Sequence, residues 1–385
     1  MNLFNSFFMG GFECADHINR SGNRVNLLKE TQHDIRYFSD YEILSSLGIK
    51  TVREGICWSK VEKTPGVFDF SGVINRIKAA DNFGIQLIWD LIHFGYPDGI
   101  YPSHPHFNHR FNSLCREFAI FHKNSTTNQL YVVPINEISF LSWYSGDNKG
   151  TVPFATNNGW DIKYHLCQAA IIGIQTLKKV DPDCIIVLVE PLVSIHKCPQ
   201  EDYKDFELLN EHQYQAMDII SGRMCPELGG SEEFLDILGF NYYWNCQWSV
   251  DGQTLEWPEQ THKIRKPLSI LLQSAYKRYR KPIFLSETGH FGTGRVEWMD
   301  EITQECERAK KNGVDFNGIC IYPVIDRPDW DNLLNYSQCG IWDLNPNGDR
   351  LPNLPYINCI KNAQEKFQQP IGIIDYVLTL LKQII

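Results

Sequence analysis

Along the chain, short runs of apolar residues alternate with longer stretches in which apolar positions recur three or four residues apart. The short runs read as strands: Phe7 to Glu13, Ile49 to Cys57, Ile85 to His93, Leu130 to Glu137, Cys184 to Glu190, Phe234 to Asn241, Pro282 to Glu287 and Phe316 to Tyr322. Between them the spacing predicts helices. One opens at Asp34 and stops at Gly48, and another runs from Phe70 to Phe83 and stops at Gly84. Further helices are expected over Leu114 to His122, Asp161 to Val180, Asp205 to Ile220, Leu268 to Tyr279, Val296 to Lys311 and Tyr356 to Phe367. The strands are apolar nearly throughout rather than alternating, as expected when both faces of a parallel sheet are covered. Strand and helix alternate eight times, and no glycine-rich phosphate loop follows the first strand. The pattern therefore favours an α/β fold of the closed (β/α)8 barrel type, a TIM barrel, over a dinucleotide-binding sheet.

The 385 residues exceed the ~250 of a typical barrel of this kind. The surplus falls in segments 94–113, 138–160, 191–233, 242–266 and 323–354, each of which follows a strand. They are expected as long loops on the C-terminal face, where barrel active sites form. Residues 1–369 are expected to make one barrel, followed by an apolar tail, 370–385. In that tail Ile371, Ile374, Leu378, Leu381 and Ile385 fall roughly on one side at helical spacing. A helix packed on the barrel is one reading of the tail, and a contact with a membrane surface or a partner is the other.

Composition narrows the function. The net charge is −10, with no dense block of Lys and Arg, so nucleic-acid binding is not expected. No stretch is long and apolar enough to span a bilayer, and the N-terminus lacks the basic region of a secretion signal. The 12 cysteines are scattered without a Cys-x-x-Cys pair. This argues against a zinc site and a disulfide framework, and for a reducing, cytoplasmic compartment. No cofactor or metal is expected, although His104 and His106 have a metal-like spacing. His33, His104, His106 and His109 are expected in solvent.

On a barrel, strand-end residues face the site: Glu13, Arg53 with Glu54, His93, Asn136 with Glu137, Glu190, Asn241, Glu287 and Tyr322. The set is rich in carboxylates and hydrogen-bonding groups, and aromatics crowd the following loops. Aromatic faces stack on sugar rings while carboxylates and amides hold hydroxyls, so a glycoside or oligosaccharide is the expected partner. Hydrolysis of a glycosidic bond needs two carboxyl groups across it, roughly 5–5.5 Å apart in the retaining form. Spacing alone does not choose among Glu13, Glu137, Glu190 and Glu287. For Glu190, followed by Pro191, a structural role is the first reading. Arg53 could neutralise Glu54 or Glu13.

At these residues the sequence resembles clan A of the retaining glycoside hydrolases, and within it family 1, the β-glucosidases, β-galactosidases and relatives. The motifs are YVVPINEIS and PIFLSETG, with support from MGGFECADHI, VREGICWSK, LIHFGYP and LGFNYYWN. The resemblance implies Glu137 as acid/base, preceded by Asn136, and Glu287 as nucleophile. It implies that Arg53 supports the nucleophile, that Tyr243 hydrogen-bonds it, and that Asn241 lies near the acid/base. His93 matches the third-strand histidine. His17 stands where a sugar-binding Gln is usual, and Phe94 where a Trp is usual. Tyr322-Pro323 replaces a Trp-Ser start, and Asp329-Trp330 replaces the Glu-Trp pair that grips the outer hydroxyls. Substrate binding is thus expected of His17, Arg53, His93, Asn136, Asn241, Tyr243, Asp329 and Trp330. The implied activity is retaining β-glycoside hydrolysis. Transglycosylation by the same two glutamates and a non-catalytic carbohydrate-binding barrel are the alternatives.

Overall fold

A computed structural model describes residues 3–197, 206–258 and 264–368. Eight parallel strands close into a barrel: β1 Phe8–Gly11, β2 Thr51–Gly55, β3 Gln86–Ile92, β4 Tyr131–Ile135, β5 Ile185–Pro191, β6 Ile237–Asn241, β7 Ile283–Thr288 and β8 Phe316–Ile321. Each strand pairs with its neighbours in sequence, and β1 closes the ring on β8 through the pair Gly10 and Ile321. The helices expected between the strands form the outer layer: α1 His33–Ser46, α2 Ser71–Phe83, α3 Phe107–Ser125, α4 Gly159–Val180, α5 Gln215–Ile220, α6 Leu268–Tyr279, α7 Gly294–Lys311 and α8 Leu354–Gln368.

Three boundaries differ from the sequence pattern. Helix α3 begins at Phe107 rather than Leu114, because Phe107 and Phe111 are fully buried one turn apart and carry the helix back through a polar stretch. Segment 138–160 is not all loop, since Ile138–Gly146 is helical. The helix expected from Asp205 is broken by a tight 3-10 turn at His212–Tyr214; its first residue, and the tail 370–385, lie outside the described residues. Among the described residues no helix is long and apolar enough to cross a membrane.

Side chains alternate inward and outward along each strand, and this divides the core in two. The inner cluster includes Met9, Ile88, Val133, Val187, Val189, Ile237, Phe284 and Cys320, with Phe4 closing the bottom against the ring of Phe284 at 5.0 Å. The much larger outer cluster lies between strands and helices. Two residues above Ile88, Phe284 and Cys320 come Asp90, Ser286 and Tyr322, so the inner face turns polar toward the C-terminal mouth. Glycine makes room there: a Cβ on Gly11 would stand 2.2 Å from the Tyr322 ring.

The same alternation sends Arg53 into the barrel and Glu54 out of it. Glu54 is fully buried under α1 and α2. It accepts hydrogen bonds from His33 Nε2 at 2.7 Å and Tyr41 at 2.6 Å, and pairs with Arg76. His33 is therefore not solvated, contrary to the sequence reading. Its other nitrogen meets Asp40 at 2.8 Å, and its ring stacks on Phe12 at 3.5 Å. Burial raises Glu54, but His33 and Arg76 outweigh it and hold the carboxyl down at about 2.

Breaking a buried pair by removing one partner costs about 3–5 kcal/mol. Glu54→Gln is expected to lower the urea midpoint by a corresponding amount at neutral pH. The depressed carboxyl stabilises the fold above the unfolded value of about 4.3, and that contribution fades as pH falls toward 2. The gap between variant and parent should narrow over that window.

Candidate active site

The mouth of the barrel is built around two carboxyls that reach it through departures from regular strand geometry. In β7, Leu285 pairs with Phe240 but Glu287 pairs with Asn241, so two residues of β7 oppose one of β6. This bulge re-aims Glu287: Ser286 points inward to Asn241 Oδ1 at 2.7 Å, and Glu287, which strict alternation would turn outward, enters the mouth as well. Beyond β4, Glu137 has φ 48°, a left-handed conformation that costs a non-glycine residue on the order of 1–3 kcal/mol. It turns the chain into the helix Ile138–Gly146.

Glu287 is held on both oxygens. Arg53 Nη1 donates to Oε1 at 2.9 Å, and the Tyr243 hydroxyl donates to Oε2 at 2.8 Å. Arg53 also donates to Asn136 Oδ1 at 3.1 Å and to Asp90 Oδ2 at 2.7 Å. Glu137 accepts one hydrogen bond, from Asn241 Nδ2 at 2.9 Å. The structure thus brings Arg53, Asn136, Glu137, Asn241, Tyr243 and Glu287 together. Burial first, and the neighbouring Glu287 charge second, push the Glu137 carboxyl up to about 8. Burial pushes Glu287 up too, against the pull of Arg53, His93 and Tyr243. The two carboxyls share one site, and the proton belongs on the one without a cation. That one is Glu137, which has only a neutral amide.

His93 is buried beside this pair, with Nδ1 2.9 Å from Asp90 and Nε2 3.2 Å from the Tyr322 hydroxyl. His17 is equally buried, yet neither ring nitrogen has a protein partner. Burial holds it neutral, its pKa lowered to about 3. Its ring packs edge-on to Trp330 at 4.8 Å, and Phe94 meets Trp330 at 5.3 Å. Trp330 Nε1 and Asn136 Nδ2 are further buried donors without a partner. Asp329 is half-buried, and its Oδ1 accepts from the backbone of Asp331 and Asn332 at 2.9 and 3.0 Å, as in a turn.

Of the other strand-end acids, Glu190 caps the helix Ile138–Gly146 by accepting from Ser139 N at 3.1 and 3.3 Å, and burial raises it to about 7. This is the structural role the sequence suggested. Glu13 pairs with Arg327 at 3.2 Å rather than with Arg53. Sequence reasoning missed Asp90, Ser286 and Arg327. Asp90 carried a signal, as the only charged residue in the apolar run IQLIWDLI. Arg327 carried none.

A carboxyl raised in the folded state contributes stability that is full below the unfolded value of about 4.3 and is lost as pH rises through about 8. Glu137→Gln removes that loss. The variant is expected to melt higher than the parent at pH 8–9, with the difference vanishing below about pH 4, as thermal melts across pH would record.

No protein-family model matches the chain, and no curated protein matches it. Solved structures do. A family 1 β-glucosidase from Thermotoga maritima has a TM-score of 0.72 at 14% identity, covering 93% of this chain and 98% of that one. A β-glucosidase from Thermotoga maritima in complex with glucoimidazole gives 0.72 at 15% over the same shares. A family 1 β-glucosidase from that organism in complex with isofagomine lactam gives 0.70 at 14%, covering 87% of each chain. In fold, the chain is similar to these family 1 β-glucosidases.

Proposed function

We propose that the protein is a retaining β-glycosidase acting on terminal β-linked sugars. The observation that carries this reading is the unequal pair at the mouth. Glu287 is ionised by Arg53 and oriented by Tyr243, while Glu137 is kept protonated by burial and by Glu287. Two carboxyls pushed apart in this way suit a nucleophile and a general acid. Glu287 attacks the anomeric carbon as Glu137 protonates the departing oxygen. Glu137, then ionised, takes a proton from water as it attacks the glycosyl-enzyme and frees Glu287.

The unpartnered buried donors support a polyhydroxylated substrate. His17, Asn136 Nδ2 and Trp330 Nε1 have no protein acceptor, and a buried polar group without a partner costs about 1–3 kcal/mol. Sugar hydroxyls would satisfy them, and the Trp330, Phe94 and Tyr144 rings provide an apolar wall. The eleven described cysteines are all unpaired, which supports a reducing, cytoplasmic compartment.

The test is covalent trapping. An activated 2-deoxy-2-fluoro β-glycoside is expected to add its sugar mass to the peptide bearing Glu287, and not in Glu287→Gln. Glu137→Gln should cost roughly 10²–10⁴ in kcat/KM on glycosides with poor leaving groups, and far less in kcat/KM on dinitrophenyl glycosides, whose departure needs no acid. The alkaline limb of the parent's pH profile, set near 8 by Glu137, should disappear with that variant on the activated substrate. Absence of both trapping and hydrolysis across common aryl β-glycosides would rule the activity out.

A further inference from the structure

The mouth holds more charge than two carboxyls and a supporting arginine require. Starting from Glu287, each ionisable side chain touches one of opposite sign. Glu287 meets Arg53 at 2.9 Å, Arg53 meets Asp90 at 2.7 Å, and the same Asp90 oxygen meets His93 Nδ1 at 2.9 Å. His93 Nε2 lies 3.6 Å from Glu13 Oε1, and Glu13 Oε2 lies 3.2 Å from Arg327 Nε. None of the first five side chains is more than 7% exposed. The groups come from β7, β2, β3, the end of β1 and the loop after β8, so the line crosses the barrel mouth.

His93 decides whether this line alternates in charge. A neutral imidazole has one donor and one acceptor. Here Nδ1 faces Asp90 at 2.9 Å, and Nε2 faces the Tyr322 hydroxyl at 3.2 Å with the Glu13 carboxylate behind it at 3.6 Å. The doubly protonated ring donates on both sides and leaves the Tyr322 hydrogen for the Phe12 carbonyl at 3.3 Å. The other groups facing His93 agree with a cation. Cys14 comes within 4.8 Å, and burial keeps its thiol protonated. His17 is neutral, Glu137 and Glu287 lie across the mouth, and the Tyr322 hydroxyl is 3.2 Å from Nε2. Burial opposes the charge, and Asp90, Glu13 and Glu287 outweigh it. Arg53, already on Asp90, makes Cys14, Asp90 and His93 an ion-pair cluster rather than a place for a further cation.

We propose that His93 is a buried imidazolium locked between Asp90 and Glu13, and that these two acids are positioning residues. Through His93 and Arg53 they fix Glu287 relative to the Arg327 loop, whose Trp330 lies under the Arg327 guanidinium at 5.7 Å. Both His93 nitrogens are then spent within the protein, and contacts to sugar hydroxyls fall to His17, Asn136 and Trp330. The positioning role rests on Glu287 being the nucleophile; the charge on His93 does not.

Nitrogen-15 spectra of the full-length protein with labelled histidine read the ring's protonation without substrate. His93 can be assigned by Overhauser contacts to the Tyr322 ring, stacked 5.7 Å away. Both ring nitrogens are expected to be protonated at neutral pH, and the titration should move to lower pH in Asp90→Asn and in Glu13→Gln. A neutral ring in the unmodified protein at neutral pH overturns the proposal whether or not either variant folds. Trapping by the fluoro glycoside then tests positioning. Asp90→Asn is expected to slow it on the order of tenfold to a hundredfold, the cost of a misplaced reacting group, with little change in KM. Unslowed trapping alongside a shifted His93 titration overturns the positioning role. A charged His93 in a protein that never traps the sugar removes the nucleophile reading and the positioning role together, and leaves the charge lock standing.

Discussion

A carboxylate taken out of water must be given partners, and in this barrel that requirement propagates. Glu287 is buried, so it needs Arg53 and Tyr243. Arg53 is buried as well and can neutralise only part of its own desolvation against Glu287, so it needs Asp90 and Asn136. Asp90 in turn draws in His93. Each ion is tolerable only because the next is in place, as expected where isolated charges cost several kcal/mol apiece. The result is a polar lid set directly on an apolar plug, with the change of character two residues up each strand.

The barrel was legible because parallel strands covered on both faces must be continuously apolar, and because glycines mark the ends of α1 and α2. The two glutamates were legible as acids ending such strands. How they reach the mouth was not. The bulge at Ser286 and the left-handed turn at Glu137 are backbone irregularities at residues that give no conformational signal, since neither is glycine. The helix Ile138–Gly146 was hidden for a related reason: it starts from Glu137 without a side-chain cap of its own. His33 was misread because its neighbours in sequence are polar, while its partners are Asp40, two turns along the same helix, and Glu54, on β2. Asp90 was visible but was absorbed into the apolar strand around it.

The likeness in fold at 14% identity has a physical basis. The barrel asks only for apolar volume on both faces of its strands, which many sequences supply. Against the family 1 pattern, the residues touching Glu137 and Glu287 match, whereas His17, Phe94, Tyr322 and Asp329 depart from it. All four lie on the side of the mouth bordered by Trp330 and Glu13. There this chain carries an imidazole, a phenyl ring and a phenol where that pattern has amide and indole groups. The interior accommodates Tyr322 because Gly11 leaves it space.

Arg53 has two carboxylate partners at very different distances along the chain. Asp90 is 37 residues away, Glu287 234. Closing the shorter loop costs less chain entropy, and both of its ends belong to neighbouring strands, β2 and β3, which form a local unit. Arg53 thus has a carboxylate partner within the first three strands, and its neutralisation does not rest on the contact with β7 alone.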